Sequence, residues 1–154
     1  MPNILVHTMQ YAGGPVTSDI VLPHYHDADF AAYKRVYENC FFDMRKALGI
    51  YPAMACDTRA NLRQKAEHIF LYKKEDELVG SVAIYGNEID DLIVASVHQG
   101  KGYGRMLLTF AIAHLQKRDV FPAFLRVAEW NHRAISLYLA NGFHSIERQI
   151  VVSP

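Results

Sequence analysis

A glycine-rich segment between an apolar strand and an amphipathic helix constrains the fold more than any other feature of the chain. The segment 99–104, Gln-Gly-Lys-Gly-Tyr-Gly, has glycine at every second position. The run before it, 88–94, is predicted to be a strand, and 104–118 places apolar side chains at helical spacing. A further strand is predicted at 124–128. A strand, a crossover helix and a second strand indicate a parallel pair joined by a right-handed crossover.

The remaining pattern indicates a mixed sheet with helices on both faces. From Asp27, apolar residues recur at helical spacing until Gly49, and we expect Asp27 to cap this helix. Turns at 75–76 and 86–87 indicate antiparallel hairpins. We therefore predict a mixed α/β (α+β) fold with about six strands. Besides those above, strands are predicted at 4–9, 20–22, 68–73, 77–85 and 143–152, and helices at 57–67 and 131–141, the last capped by Asn131.

Size and charge bound the classes of function. The 154 residues suit one domain, 1–154, which is large enough to bury a core without a disulfide or a metal. Sixteen basic and sixteen acidic residues balance, so the net charge gives no reason to expect binding to nucleic acid or to an anionic membrane. The N-terminus does not resemble a signal peptide, and no apolar run is long enough to span a membrane. We expect a soluble, cytoplasmic protein.

The two cysteines show no spacing that is typical of a metal or redox site. Cys40 falls on the apolar stripe of the first long helix, where a small buried apolar role is expected. His24 and His26 are only a weak metal signature. No metal is therefore expected.

The glycine-rich segment has the features of a diphosphate site. Backbone N–H groups at a helix N-terminus attract anions, and glycine lets a diphosphate approach without a Cβ in the way. A dinucleotide fingerprint requires G-x-G-x-x-G, and a P-loop requires G-x-x-x-x-G-K-[ST]; the segment matches neither spacing. On this segment alone, a turn that binds nothing remains open.

Two linked motifs resemble those of the GNAT superfamily of N-acetyltransferases. Leu92-Ile93-Val94 followed by the segment 99–104 is similar to its Q/R-x-x-G-x-G/A signature at the end of a central strand. The segment 131–143 is similar to its N-x-x-A-x-x-x-Y-x-x-x-G-F helix, with Asn131, Tyr138 and Phe143 in place. The resemblance covers about 77–143 and implies the three-layer GNAT fold.

The resemblance also implies a cosubstrate and its contacts. It implies transfer of an acetyl group from acetyl-CoA to a primary amine, directly in a ternary complex. The pantetheine arm pairs with the central strand in this family, and main-chain amides of the glycine loop bind the pyrophosphate. The matching positions here are Leu92, Ile93, Val94, Gln99, Gly100, Lys101, Gly102, Tyr103, Gly104, the adjacent Arg105, and Asn131, which matches a position that often contacts the coenzyme arm.

The resemblance implies catalytic roles for two residues. Tyr138 matches the tyrosine that protonates or hydrogen-bonds the departing thiolate, so it belongs to both the catalytic and the coenzyme-binding sets. Glu88 matches in spacing the glutamate that is the base in some members, with Asp90 as the second candidate and as a substrate contact, and a water chain as the third possibility. Strand alternation predicts that Glu88, Asp90, Leu92 and Val94 share one face of the strand.

The acceptor stays open at this stage: a small amine, an amino acid, an antibiotic or a protein amine. The alternatives to an enzyme are a non-catalytic acyl-CoA-binding module of the same fold and a nucleotide-binding structural protein. Most GNAT domains end with two strands after the Gly-Phe pair, whereas 143–154 provides for one. The acceptor pocket is then expected to lack a wall or to gain one from another subunit, so we predict a homodimer.

Overall fold

The computed structural model describes residues 3–152, and these form one six-stranded sheet in the order β2-β3-β4-β5-β1-β6. Neighbouring strands are antiparallel except for β4 and β5, which are parallel. The predicted mixed sheet and its parallel strand–helix–strand unit are confirmed. The strands are β1 Asn3–Tyr11, β2 Ile69–Lys74, β3 Glu77–Tyr85, β4 Glu88–Val94, β5 Phe124–Ala128 and β6 Phe143–Val152.

Helices cover both faces of the sheet, which gives the three layers predicted. Apolar residues of α3 pack against one face in a cluster with Leu125 and Phe143, and Leu137 and Tyr138 of α4 pack on the edge of that cluster. The other face carries a second cluster that includes side chains of α1 and α2. The helices are α1 Phe30–Ala47, α2 Arg59–Lys65, α3 Tyr103–Lys117 and α4 His132–Ala140.

The helix cap predicted at Asn131 is confirmed, whereas the one predicted at Asp27 is not. Thr58 and Asn131 accept hydrogen bonds from backbone N–H groups of the first turns. The predicted cap at Asp27 is wrong, because Asp27 lies in a short 3-10 turn that precedes α1. Its carboxylate is bound instead by Arg59 and Arg63 at 3.0 and 2.9 Å. Charge-assisted bonds to two guanidinium groups are stronger than a bond to a neutral N–H.

The strand predicted at 20–22 is wrong: these residues are not in a strand. Pairing begins slightly later, where Leu71 N–H donates to the Pro23 carbonyl and Tyr25 N–H donates to the Ile69 carbonyl, each at 2.9 Å. Proline has no N–H to donate, so a ladder through Pro23 cannot extend. The result is a single bridge at His24 on the outer edge of β2.

The N-terminal strand completes the sheet beyond β5. β1 lies between β5 and β6 and pairs with both along most of its length. The position in the sheet between β5 and β6 is therefore occupied by β1. Within the described residues, β6 is an edge strand of the sheet, and exposed edges tend to be covered. The homodimer stays a prediction.

A β-bulge in β4 changes which side chains face which helix. Ser81 pairs with Ile93 and Ala83 with Asp90, so Val82 alone lies opposite both Asp91 and Leu92. Asp91 adopts a φ of +46° at this point.

The bulge corrects the predicted alternation along β4. Ile89, Leu92 and Val94 all face the cluster beneath α3, whereas Ile93 faces the cluster beneath α1. The prediction that Glu88 and Asp90 share a face with Leu92 is wrong, because the extra residue inverts the alternation after Asp90.

β4 and β5 separate soon after they begin. They pair only at Glu88 with Phe124 and at Ile89 with Leu125. From Asp90 onward, the backbone edge of β4 that faces β5 therefore has no strand partner. A gap between two parallel strands at their carboxyl ends is the place where α/β sheets bind ligands.

Candidate functional site

The larger cavity opens where β4 loses its partner, and we name it the strand cleft. Its volume is about 380 Å³. It lies between the middle of α1, the end of β4, the loop before α3 and the start of α4. Most of the residues predicted to bind the coenzyme line it: Leu92, Ile93, Val94, Gln99, Gly100, Gly102, Tyr103, Gly104, Arg105, Asn131 and Tyr138. Lys101 is exposed and is not part of the lining.

The glycine loop presents backbone donors to the cleft. Gly100 and Gly102 have φ angles of +77° and +89°, a conformation that favours glycine, and Gly102 is the N-cap of α3. The first intrahelical bond runs from Met106 N–H to the Gly102 carbonyl at 3.1 Å. The N–H groups of 103–105 thus lack helical partners, and the first turn has no acidic residue. This helix end attracts an anion.

Side chains, rather than β5, bond the last carbonyl of β4. Gln99 Nε2 and the Cys40 thiol both donate to the Val94 carbonyl, at 3.0 and 3.2 Å. Burial raises the pKa of the Cys40 thiol, which keeps it protonated as a donor. Cys40 is half-buried and lines the cleft, so its role is wider than the small buried apolar one expected from the helical stripe.

Tyr138 of α4 lines the cleft. Burial, with a smaller effect from the negative charge of Asp90, raises the pKa of Tyr138 to about 12. The phenol therefore stays protonated throughout the physiological range. Such a group can donate a hydrogen bond to an anion that forms in the cleft.

The two acidic candidates on β4 lie outside the lining of the cleft. Glu88 is in the stretch where β4 still pairs with β5, and its carboxylate is 3.4 Å from the guanidinium of Arg126. Asp90 follows at the point of separation, and its Oδ1 accepts a bond from the Asp91 N–H at 2.8 Å. The structure does not bring either carboxylate into the cleft wall with Tyr138.

Comparison with known proteins then assigns the family. The sequence pattern of the acetyltransferase (GNAT) family matches residues 26–143, which is most of the chain. The chain belongs to the GNAT acetyltransferase family. No protein among the curated sequences matches it significantly.

Solved structures share the GNAT fold at low sequence identity. A putative GNAT acetyltransferase of Novosphingobium aromaticivorans has a TM-score of 0.71 at 17% identity, over 97% of this chain and 63% of that one. A GNAT acetyltransferase of Colwellia psychrerythraea has 0.72 at 14%, over 96% and 55%. This chain thus spans somewhat over half the length of those two proteins. The putative acetyltransferase yncA of Salmonella typhimurium, solved with its cofactor acetyl-CoA, has 0.63 at 18%, over 81% and 79%.

Several lining residues of this GNAT domain lie outside the motifs. Cys40, Phe41, Asp43 and Met44 come from α1, and no local pattern marks them, because only packing of α1 across β4 brings them to the cleft. Arg133 lies within the second motif at a position that the motif leaves free, with its Nη1 3.5 Å from Gln99 Oε1.

Two further side chains outside the motifs line the cleft. Trp130, which follows β5, is 42% exposed and lines the cleft. His98 also lines it and pairs with Glu77 at 3.3 Å.

A second cavity of about 270 Å³ lies beneath α1 on the other side of β4, and we name it the α1 cavity. Asp91, the bulge residue, contributes its carboxylate, which accepts a bond from the Tyr37 hydroxyl at 3.2 Å. Burial first, and then the charge of Asp90, raise the pKa of Asp91 to about 7. The lining is Tyr33, Tyr37, Arg45, Ala55, Cys56, Asp57, Leu62, Lys65, Ile69, Tyr85 and Asp91.

Residues 3–152 contain no group of three or more His, Cys, Asp or Glu side chains placed to hold a metal ion. Among the same residues, no helix is both long enough and apolar enough to cross a membrane.

Proposed function

We propose that this GNAT domain transfers an acetyl group from acetyl-CoA to a primary amine, directly and within a ternary complex. The observation that carries the proposal is the meeting of three features in the strand cleft. These are the N-terminus of α3, the unpaired edge of β4 and the hydroxyl of Tyr138. The Salmonella relative was solved with acetyl-CoA, which supports this choice of donor.

The pyrophosphate of the donor would be held at the start of α3. Free N–H groups of 103–105 suit its negative charge, and Gly100 and Gly102 keep side chains out of its way. Arg105 and Arg133 line the same end of the cleft and add positive charge. A Cβ built on Gly102 meets no protein atom within 4 Å, so the open space there is available to a ligand.

The pantetheine arm would add to β4 as an extra strand. Its amides need hydrogen-bond partners, and the β4 edge beyond Ile89 offers backbone groups that β5 does not use. Leu92 to Val94 are the matching residues, and Asn131 lies across the cleft from them. A backbone N–H of this edge, that of Val94, would polarise the thioester carbonyl.

The chemistry of transfer follows from the positions of the groups. The ammonium of the acceptor first loses a proton, and its nitrogen then bonds to the thioester carbonyl carbon. The C–S bond breaks, and the thiolate leaves with a hydrogen bond or a proton from Tyr138. The amide nitrogen loses its second proton, so that the products are an acetamide, the CoA thiol and one released proton. A positioned acid or base contributes about 10²–10⁴-fold to such steps.

The base for the amine is proposed to be Glu88, with Asp90 as the alternative. Glu88 matches the expected spacing, and its pairing with Arg126 keeps it near the closed end of the gap. Asp90 lies close enough for its charge to raise the pKa of Tyr138. A water chain is the route if neither carboxylate acts directly.

An acceptor screen tests the proposal. Acetyl-CoA is mixed with the protein and with primary amines in turn, and free CoA thiol is detected. We expect thiol release that depends on the amine, and a mass increase of one acetyl group on that amine. Tight donor binding with no acceptor among small amines, amino acids and peptides would favour the non-catalytic acyl-CoA-binding module instead.

A further inference from the structure

The backbone groups of Val94 face the strand cleft rather than β3. Ala95 N–H donates to the Val79 carbonyl at 2.8 Å, and Gly80 is the residue opposite Val94. In an antiparallel ladder, residues that bond to the partner strand alternate with residues whose N–H and carbonyl groups point away from it. Val94 is of the second kind, so both of its groups point to the side from which β5 has diverged.

Two side-chain donors take the place of the missing strand at the Val94 carbonyl. Gln99 Nε2 lies 3.0 Å from this oxygen, and the Cys40 thiol lies 3.2 Å from it. A carbonyl oxygen has two lone pairs, so these two donors satisfy it fully. A pantetheine arm that adds to β4 as a strand therefore meets a carbonyl that side chains already hold, and one donor has to leave if the arm bonds to it.

The two donors are held with different firmness. Gln99 belongs to the glycine loop, and it is exposed. Cys40 lies in the middle of the 18-residue helix α1 and packs, with Tyr37 and Phe41, against the cluster beneath that helix. A pantetheine amide that pairs with Val94 can therefore displace the Gln99 side chain, whereas the Cys40 thiol stays in place.

The Cys40 thiol suits a lasting hydrogen bond better than a covalent reaction. Burial raises the pKa of Cys40, and the bond to the Val94 carbonyl opposes this only in part. The group therefore stays a neutral thiol, whereas the thiolate is the form that reacts. A half-buried cysteine usually fills space as a small apolar group. Here its proton is directed at a backbone carbonyl of the strand that is proposed to bind the donor.

We infer that Cys40 is a positioning residue for the donor: its hydrogen bond to the Val94 carbonyl ties α1 to the unpaired edge of β4 and aligns that edge with the pantetheine arm. This inference rests on the proposed acetyl transfer and adds to it a residue of α1 that neither motif contains. Cys40 acts through Val94 and takes no part in the transfer of the acetyl group. Because the pyrophosphate is proposed to bind at the start of α3, Cys40 should affect only ligands that carry pantetheine.

The test compares a ligand that carries pantetheine with one that does not. CoA has both the pyrophosphate and the pantetheine arm, whereas adenosine 3′-phosphate 5′-diphosphate keeps the pyrophosphate and lacks the arm. Calorimetry measures Kd of both ligands for the unsubstituted protein and for Cys40→Ala, which removes the thiol. We expect Cys40→Ala to raise Kd for CoA about 3- to 10-fold, the value of one hydrogen bond, and to leave Kd for the adenosine ligand unchanged.

Conservative variants separate the hydrogen bond from the packing. Cys40→Ser keeps a donor at the same place in the side chain and should restore Kd for CoA to within about twofold. Cys40→Val fills the space without a donor and should bind CoA as weakly as Cys40→Ala does. Cys56→Ala is the matched control, because Cys56 is also a half-buried cysteine but lines the α1 cavity instead of the strand cleft. It should leave both dissociation constants unchanged.

The results separate failure of the inference from failure of the proposed transfer. If Cys40→Ala leaves Kd for CoA unchanged, or raises Kd for both ligands equally, the inference is overturned. It is also overturned if Cys40→Ser binds CoA no better than Cys40→Ala. In these cases the unsubstituted protein still binds CoA, so the proposed transfer stands. If the unsubstituted protein does not bind CoA, the proposed transfer fails and the inference fails with it.

Discussion

The strand cleft and the α1 cavity lie next to each other along α1 and β4. The first is proposed to bind its ligand through backbone groups, whereas the second is lined by charged and tyrosine side chains. The donor contacts proposed in the cleft are mostly main chain: strand edge, glycine loop and helix N-terminus, and its lining comes mostly from the two segments 92–105 and 130–138. The α1 cavity is made of side chains scattered from Tyr33 to Asp91. Sites made from backbone need glycine and turns at fixed spacing, and thus leave a motif. Sites made from side chains leave none.

The difference also determines what each region tolerates. The cleft should be sensitive to a Cβ at a glycine, because backbone donors must reach the ligand. The α1 cavity should be sensitive to charge, because the Asp91 carboxylate there is largely removed from water. The predictions below separate these two kinds of sensitivity.

The largest expected effect is at Tyr138, where a substitution should slow the chemical step and leave donor binding nearly unchanged. Tyr138→Phe keeps the ring that packs near Phe143 and removes the hydroxyl. Turnover should fall about 10²–10⁴-fold, the usual contribution of a positioned acid. Acetyl-CoA affinity should change little, because backbone donors hold the pyrophosphate. Tyr51→Phe, at an exposed tyrosine, is the control. If Tyr138→Phe has normal turnover under conditions where the chemical step limits the rate, Tyr138 is not the acid.

A smaller effect is expected at Glu88. Glu88→Gln should reduce kcat/KM by about 10²-fold near pH 6.5, and the defect should shrink as pH rises because more of the amine is then already deprotonated. Arg126→Gln is the control, since it removes the ion pair at 3.4 Å but keeps the carboxylate. A defect that is equal at every pH, or one that Arg126→Gln reproduces, points to positioning rather than proton transfer.

The α1 cavity should make stability depend on pH through Asp91. Its pKa is raised to about 7 in the folded protein, by burial and by Asp90, with Asp57 acting in the same direction and Tyr37 and Lys65 opposing. A raised carboxyl pKa stabilises the folded state below the unfolded value, about 3.9, and this contribution is lost as pH rises through 7.

Asp91→Asn removes this titration. Between pH 4 and pH 8 the variant should therefore gain about 1–3 kcal/mol in free energy of unfolding relative to the unsubstituted chain. Urea unfolding at several pH values measures the difference, and Asp76→Asn serves as the control. A difference that does not change with pH would show that Asp91 is ionised in the folded protein across this range.

The sequence predicted the fold and most of the cleft, and it missed the α1 cavity for physical reasons. Glycine positions, helix caps and apolar periodicity are local signals, so the loop, Asn131 and the parallel strand pair could be read directly. The bulge at Asp91 could not be predicted from the sequence, because a non-glycine residue at a φ of +46° leaves no recognisable sequence pattern. Without the bulge, alternation assigned Glu88 and Asp90 to the wrong face.

Long-range packing accounts for the other misses. The chain passes from Leu22 to Tyr25 along β2, and β1 inserts between β5 and β6, because distant segments meet in the fold. Asp27 binds two arginines of α2 for the same reason. Periodicity within one segment carries no information about such partners.

The most direct test of the central claim is the melting temperature with acetyl-CoA and with CoA. At one hundred times Kd, a ligand that binds only the folded state adds about 2.7 kcal/mol to the free energy of unfolding, and the melting temperature should rise accordingly. Gly102→Val should abolish this rise. Gly86→Val, also at a positive φ, 62°, with open space for a Cβ, should retain it. If neither coenzyme changes the melting temperature of the unsubstituted protein, the strand cleft is not a donor site.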